Sequence, residues 1–225
     1  MAARLYNSGV PPILIIVAFV AIFAAITIYA AVAADRRRKA LAAWAAIKGL
    51  SYSSTNDYSV QGRFPDFECL RKGENRYAYN VVRGALQNRS FYAFDYHYET
   101  YTQTKNGRRT NHHHFSAVIV TSDVPLQPLA IRPETVFDRL AEFVGFDDID
   151  FESAEFSRRF HVAAPNRKWA YDVLHARTME FLLTQPDFNL QMHDWNVIAY
   201  RTRRFELPDL EAAATVIQGI LRSEE

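Results

Sequence analysis

A single cysteine, Cys69, in a chain of 225 residues rules out an intrachain disulfide and agrees with a reducing compartment. No motif surrounds Cys69 that would make it a catalytic thiol, so a packed or half-exposed strand residue is the expectation. Glycine is scarce too, at 8 residues, and no glycine loop of the phosphate-binding kind is present. Charge of one sign is also missing. The 26 Lys and Arg against 25 Asp and Glu leave a formal charge of +1, without the basic stripe of a nucleic-acid domain. No G-x-S-x-G, H-E-x-x-H, C-x-x-C or kinase motif set occurs, and nothing in the order of residues brings Ser, His and Asp together. The expected chain is therefore no enzyme, with no cofactor and no nucleic-acid partner.

What is present begins with an uncharged apolar run from Val10 to Ala34, followed at once by Arg36, Arg37, Arg38 and Lys39. As a helix the run rises about 37 Å, enough to cross a hydrocarbon layer of about 30 Å with some tilt. Ala31-Val32-Ala33 fits the cleavage site of a signal peptide, but the apolar stretch is too long for one. The n-region carries only Arg4 besides the amine, and four cations after the run resist export. An uncleaved anchor is the reading, and the positive-inside rule places the remainder in the cytoplasm, at the inner membrane. The four cations form a stop-transfer cluster beside anionic headgroups, and a domain docking on lipid through them is a lesser alternative.

The organisation expected is a short tail (1–9), a transmembrane helix (10–34), a juxtamembrane helix and linker (35–57), and a soluble domain (58–225) large enough for a real core. Ala40 to Ile47 continue as helix and Gly49 stops it; Trp44 either sits at the membrane interface or packs on the domain. Ser51 to Asp57 read as a loop. Strands are expected at Phe67–Leu70, Tyr77–Val82 and Phe91–Thr102, with turns at residues 72–75 and 87–88. Asn106-Gly107 favours a type I′ turn, pairing Lys105 with Arg108. That register puts Tyr92, Phe94, Tyr96 and Tyr98 on a core face with Phe115, Ala117 and Ile119. Asp95, His97, Glu99 and Tyr101 then share a solvent face with Ser116, His114 and His112.

Further on, Leu129–Ile131 reads as a strand, and Pro133 opens a helix through Phe137, Leu140, Ala141 and Val144 that Gly145 closes. Asp148–Glu152 and Arg159–Ala163 read as strands, Arg167–Leu183 as one helix, and Phe188–Met192 with Trp195–Arg201 as a hairpin turning near His193-Asp194. A last helix starts near Pro208. The fold class expected is α+β: one transmembrane helix, then a mainly antiparallel sheet with packed helices.

The stretch Asp150-Phe151-Glu152-Ser153-Ala154-Glu155-Phe156-Ser157-Arg158-Arg159-Phe160-His161-Val162 resembles a bacterial family of membrane-associated proteins known only as a domain of unknown function. A Glu-Ser-x-x-Phe-x-x-x-Phe-x-Val segment precedes, in that family, a helix similar to Ala170–Leu182 here, and Phe94-Asp95-Tyr96 with its hairpin is similar too. The resemblance spans about residues 80–205 and implies a membrane-tethered bacterial protein, with no catalytic residues to carry over. Read physically, Ser153 caps a short turn while Phe156 and Phe160 plug the core, with Arg158 and Arg159 facing solvent or Asp148 and Asp150. An anion pocket holding Arg158 or Arg159 is the lesser alternative.

The hairpin's polar face supplies the one ligand-bearing cluster. His112 and His114 project to one side of a strand, across from Glu99 and Tyr101 with His97 next along. Imidazoles and a carboxylate on neighbouring strands suit zinc, so His97, Glu99, His112 and His114 are the candidate metal ligands. The plainer alternative is a solvated polar face. Asp147-Asp148-Ile149-Asp150 lacks the glycine and distal glutamate of a calcium loop and reads as an acidic turn. His161, His175 and His193 are scattered. The leading functional expectation is a non-enzymatic binding or scaffold module facing the bilayer and another membrane or cytoplasmic protein, and the alternative a metal sensor or metal-dependent enzyme using the histidine face.

Overall fold

The computed structural model describes residues 11–105, 107–134 and 147–223. Helix α1 (Pro12–Ile47) leads to a short strand β1 (Ser51–Ser53), helix α2 (Val60–Arg63) and a 3-10 turn at Glu68–Leu70. Three long strands follow: β2 (Glu74–Leu86), β3 (Arg89–Thr104) and β4 (Gly107–Pro133). After β5 (Asp147–Asp148) come α3 (Ala154–Arg159), β6 (Phe160–Ala164), α4 (Arg167–Val173), α5 (Ala176–Thr184), β7 (Asn189–Arg201) and α6 (Leu207–Ser223). The α+β class holds, with one long apolar helix ahead of an antiparallel sheet.

The chain divides into two units after Lys39. The first is the apolar part of α1. Ile13, Leu14, Phe19, Val20, Phe23 and Ile26 are all exposed, and a helix apolar on every side is stable in lipid rather than in water. It is long and apolar enough to cross a membrane. Asp35 closes this unit by pairing with Lys39 at 2.7 Å and with Arg38 at 3.7 Å, so two of the four cations carry an internal counterion.

The second unit begins inside the same helix, at Ala40. Leu41, Trp44, Ala45 and Leu50 are buried in its core, and the Trp44 indole donates from Nε1 to Glu211 Oε1 at 2.8 Å. Of the two readings of Trp44, packing on the domain is the one realised. Ser51 to Asp57 also belong to the fold rather than to a linker: β1 pairs with β2, and Asp57 bridges Ala78.

All described strand pairs are antiparallel, in the order β1-β2-β3-β4-β6-β5, with β7 also on β4. The 27-residue β4 is the spine. It pairs with β3 over its first half, with β6 at Ala130–Pro133, and with β7 along both halves. Leu129–Ile131 is therefore the end of a long strand. Pro133 closes β4 opposite Phe160 instead of opening a helix, and the rest of that expected helix, 135–146, lies outside the described residues.

The hairpin expected at Phe188–Arg201 is one continuous strand. Asp194 takes a positive φ of 51° where β4 is irregular between Thr121 and Leu126, around Pro125. A proline cannot donate to a ladder, so β4 carries the extra residues between Thr121 and Leu126, while β7 takes the left-handed region at Asp194, which an aspartate tolerates, and pairing resumes beyond. Phe67–Leu70 is likewise a 3-10 turn, and the single helix expected at 167–183 breaks at Leu174 and His175 into α4 and α5. Leu174 is buried, so core packing holds the break that no Gly or Pro marks.

The sheet is buried on both faces. Under one lies the aromatic layer of Tyr92, Phe94, Tyr96, Phe115 and Tyr200, covered by Val60, Phe67, Cys69 and Leu70. Against the other pack α6, the end of α1 and the α3–α5 segment, through residues such as Ile217, Trp44, Phe156 and Leu182. Each such side chain contributes about 1.5–3 kcal/mol of burial. Ser153 caps α3 as expected, its Oγ accepting from Phe156 N at 3.3 Å, with Phe156 and Phe160 buried. Arg159 does not face an acid of residues 148–150. It closes the end of α5, donating to the carbonyls of Leu183 and Gln185 and to Asp187 Oδ1 at 2.8 Å, because those last-turn carbonyls have no helical partner. Arg158 bonds back to Ala154 O through Nε at 3.1 Å, at the surface.

Candidate functional site

The two strands that carry the histidines pair as Thr104 with Gly107, Glu99 with His112 and His97 with His114. The expected register set Lys105 opposite Arg108 and His112 opposite Tyr101, so the observed pairing is displaced by two residues. A displacement of two leaves every side chain on its face, which is why the partition into faces survives the error. Asn106 itself lies outside the described residues.

The polar face is not a solvated one along its whole length. It continues the larger core: Phe91 and Ala93 are followed on the same side by Asp95 and His97, both buried, and only beyond them by Glu99 and the exposed His112. Asp95 is satisfied by Asn80 Nδ2 at 2.8 Å and by the Ser116 hydroxyl, which in turn accepts from Phe205 N at 2.8 Å. A carboxyl group this deep is tolerated because both its oxygens are hydrogen-bonded.

Three of the four expected ligands converge. His97 Nε2 stands 3.2 Å from His112 Nδ1, His112 Nδ1 stands 3.4 Å from Glu99 Oε1, and His97 Nε2 stands 3.9 Å from the same oxygen. His114 is turned elsewhere: its Nδ1 lies 3.1 Å from the Tyr79 hydroxyl, and its ring packs edge-on against Tyr79. Burial, and then the charge of Arg204 and the neighbouring imidazoles, lower the His114 pKa.

Sequence reasoning missed the strand that braces the cluster. β2 lies beside β3, and its register slips between Glu74 and Tyr77. Asn75 in that bulge adopts φ 46° and reaches both ligand types. Its carbonyl meets His97 Nδ1 at 3.1 Å, and its amide donates to Glu99 Oε1 at 2.7 Å. Tyr77 stacks on the His97 ring at 4.6 Å, and Tyr101 donates to Glu99 Oε2 at 3.0 Å. The Asn75 bond, outweighing the cost of burial and aided by Tyr101 and the imidazoles, holds the Glu99 carboxylate below its ordinary pKa. Gly73 admits β2 this close, since a Cβ there would stand 2.2 Å from the Glu99 carbonyl oxygen. The signal for Asn75 was legible only as turn chemistry in Gly73-Glu74-Asn75.

A second group, unforeseen, gathers His193 with Asp66 and Asp194, each carboxylate 3.5 Å from His193 Nδ1, at the surface. His161 and His175 join neither group among the described residues. His113 projects to the aromatic face, stacked on Tyr98 at 4.6 Å beside Cys69, where a cleft of about 560 Å³ opens. Asp147 and Asp148 form β5 against β6 rather than an acidic turn. Arg36, Arg37, Arg38 and Lys39 all lie on α1.

No protein-family model matches the chain, and no curated protein matches it significantly. Among solved structures, the crystal structure of the mycobacterial trehalose monomycolate transport factor A, TtfA, is similar with a TM-score of 0.62 at 12% identity, over 84% of this chain and 92% of that one. At that identity the likeness is one of fold.

Proposed function

We propose that the chain is a single-pass protein of a bacterial inner membrane whose domain faces the cytoplasm and works as a non-enzymatic binding or scaffold module for another membrane or cytoplasmic protein. The observation that carries this reading is the α1 helix, exposed and apolar all round up to the Arg36–Lys39 cluster. A protein described as a transport factor shares the fold, which is in keeping with a binding role. Retention of the intact chain in vesicles after alkaline carbonate, together with a cytoplasmic signal from a reporter fused after Glu225, is the expected outcome. Extraction by carbonate, or an external reporter, overturns it. Detergent co-purification after in-cell crosslinking is expected to return a specific partner; recovery of the chain alone with turnover of a defined substrate refutes the non-enzymatic role.

A further inference from the structure

We propose that His97 Nε2, His112 Nδ1 and Glu99 Oε1 together hold one divalent ion of the zinc class. For metal–nitrogen bonds of about 2.0–2.1 Å, a tetrahedral ion places its ligand atoms about 3.3 Å apart. The three edges found are 3.2, 3.4 and 3.9 Å, so the triangle closes on such an ion with a shift of a few tenths of an ångström at one carboxylate.

The lone pairs of the three side chains can also meet at one point. Asn75 O can only accept, so His97 Nδ1 is the protonated nitrogen, and in that neutral tautomer the Nε2 lone pair faces His112 and Glu99. Glu99 offers only acceptors to the same point. With its proton on Nε2, His112 turns the Nδ1 lone pair to the same point, and the three atoms then form a donor set for one cation. Two imidazoles among three ligands favour zinc or cobalt over calcium or magnesium.

Both ligands from β3 are oriented from outside: His97 by the Asn75 carbonyl and the Tyr77 ring, Glu99 by the Asn75 amide and Tyr101. Metal-bound histidines and carboxylates are held in this way by an outer shell. His97 is buried to 4% exposure while His112 lies at the surface, so an ion reaches the site from solvent and the fourth position stays open to water or an incoming group. His114, committed to Tyr79, takes no part. Bound metal would tie β3 to β4 near the hairpin tip, with β2 bracing the ligands through Asn75.

The test uses the full-length protein in detergent, purified without a polyhistidine tag and stripped with chelator. Titration with Zn(II) by calorimetry is expected to show one strong site, and Co(II) to give the visible absorption of a four-coordinate ion. His112→Ala removes an exposed ring that the core does not need, so the variant should fold, with an unchanged thermal transition in chelator, and lose at least tenfold in affinity. Glu99→Gln should behave alike. Asn75→Ala should weaken binding about 10- to 100-fold. His114→Ala and His193→Ala should each change it less than twofold. Absence of bound ion at micromolar zinc overturns the proposal, as does unaltered affinity in His112→Ala. A loss that follows His193 places the ion at the other cluster and refutes this site. A tenfold loss in His114→Ala refutes the three-ligand assignment.

Discussion

Trp44 separates two physical roles for the end of α1, and replacing it distinguishes them. The side chain is 6% exposed, its ring lies 6.1 Å from that of Phe91, and its indole N–H donates to Glu211 on α6. Cutting a buried tryptophan to alanine costs about 3–5 kcal/mol in lost burial and cavity. Glu211 is exposed, so its carboxylate regains water and adds little to that figure. For a domain of this size, 1 kcal/mol moves the midpoint by about 2–4 °C, so Trp44→Ala should lower Tm by about 6–20 °C. Against a total stability of about 5–15 kcal/mol, that is a large share. Trp44→Phe keeps most of the area and drops only the N–H, so it should cost about 1 kcal/mol and move Tm by about 2–4 °C. Differential scanning calorimetry of the full-length protein in detergent reads the domain transition apart from the lipid-bound helix. A Trp44→Ala midpoint within about 2 °C of the parent would mean that the indole sits in the headgroup region instead of in the larger core.

Three other outcomes are expected. Tyr96 donates to the carbonyl of Leu70 at 2.7 Å inside the aromatic core, so Tyr96→Phe orphans a buried acceptor and should cost about 1–3 kcal/mol in urea unfolding; a neutral result would show that water reaches Leu70. Gly73→Ala would drive a Cβ into the Glu99 carbonyl at a φ of 64°, parting β2 from β3 at a cost of about 2–4 kcal/mol, and hydrogen exchange should rise first at residues 74–79; unchanged protection there would contradict the close approach. Burial would raise the pKa of Asp209, but hydrogen bonds from Arg203 and the Glu206 amide, with the charges of Arg203 and Arg201, outweigh it and lower the value. A carboxylate so held takes up its proton later in the folded chain than in the unfolded one, so its contribution is full above about pH 4 and fades as pH falls through the lower folded value. Asp209→Asn should therefore flatten the acid limb of stability below about pH 4, and an unaltered limb would deny the role.

The residues of the site were legible as a face, and only partly as a site. Alternation along 91–102 and 111–120 fixes which side chains share a side of the hairpin, and because the period is two, the faces came out right even though the pairing is offset by two residues. The same pattern could not show that His97 is buried, since burial there depends on β2 closing over β3 from outside the hairpin. It could not separate His114 from the other ligands either. That distinction rests on Tyr79, a neighbour in space and 35 residues away in the chain.

Local chemistry alone settled several elements: the apolar span and its cations, the Gln87-Asn88 turn with both residues at positive φ, the Ser153 cap, and the amphipathic last helix. In each, the deciding force acts within a few residues, through solvation, a backbone preference or a side chain bonding its own turn. Tertiary structure decided where breaks and junctions fall. Pro125 and His193-Asp194 carry turn signals, yet β4 bulges opposite Asp194 and both strands run on, because pairing on either side of the bulge outweighs a local preference worth about 1–2 kcal/mol. Asn75, a turn residue by composition, becomes the brace of the histidine cluster for the same reason. Its backbone conformation is local, but what its carbonyl and amide meet is set by strands brought together only when the sheet closes.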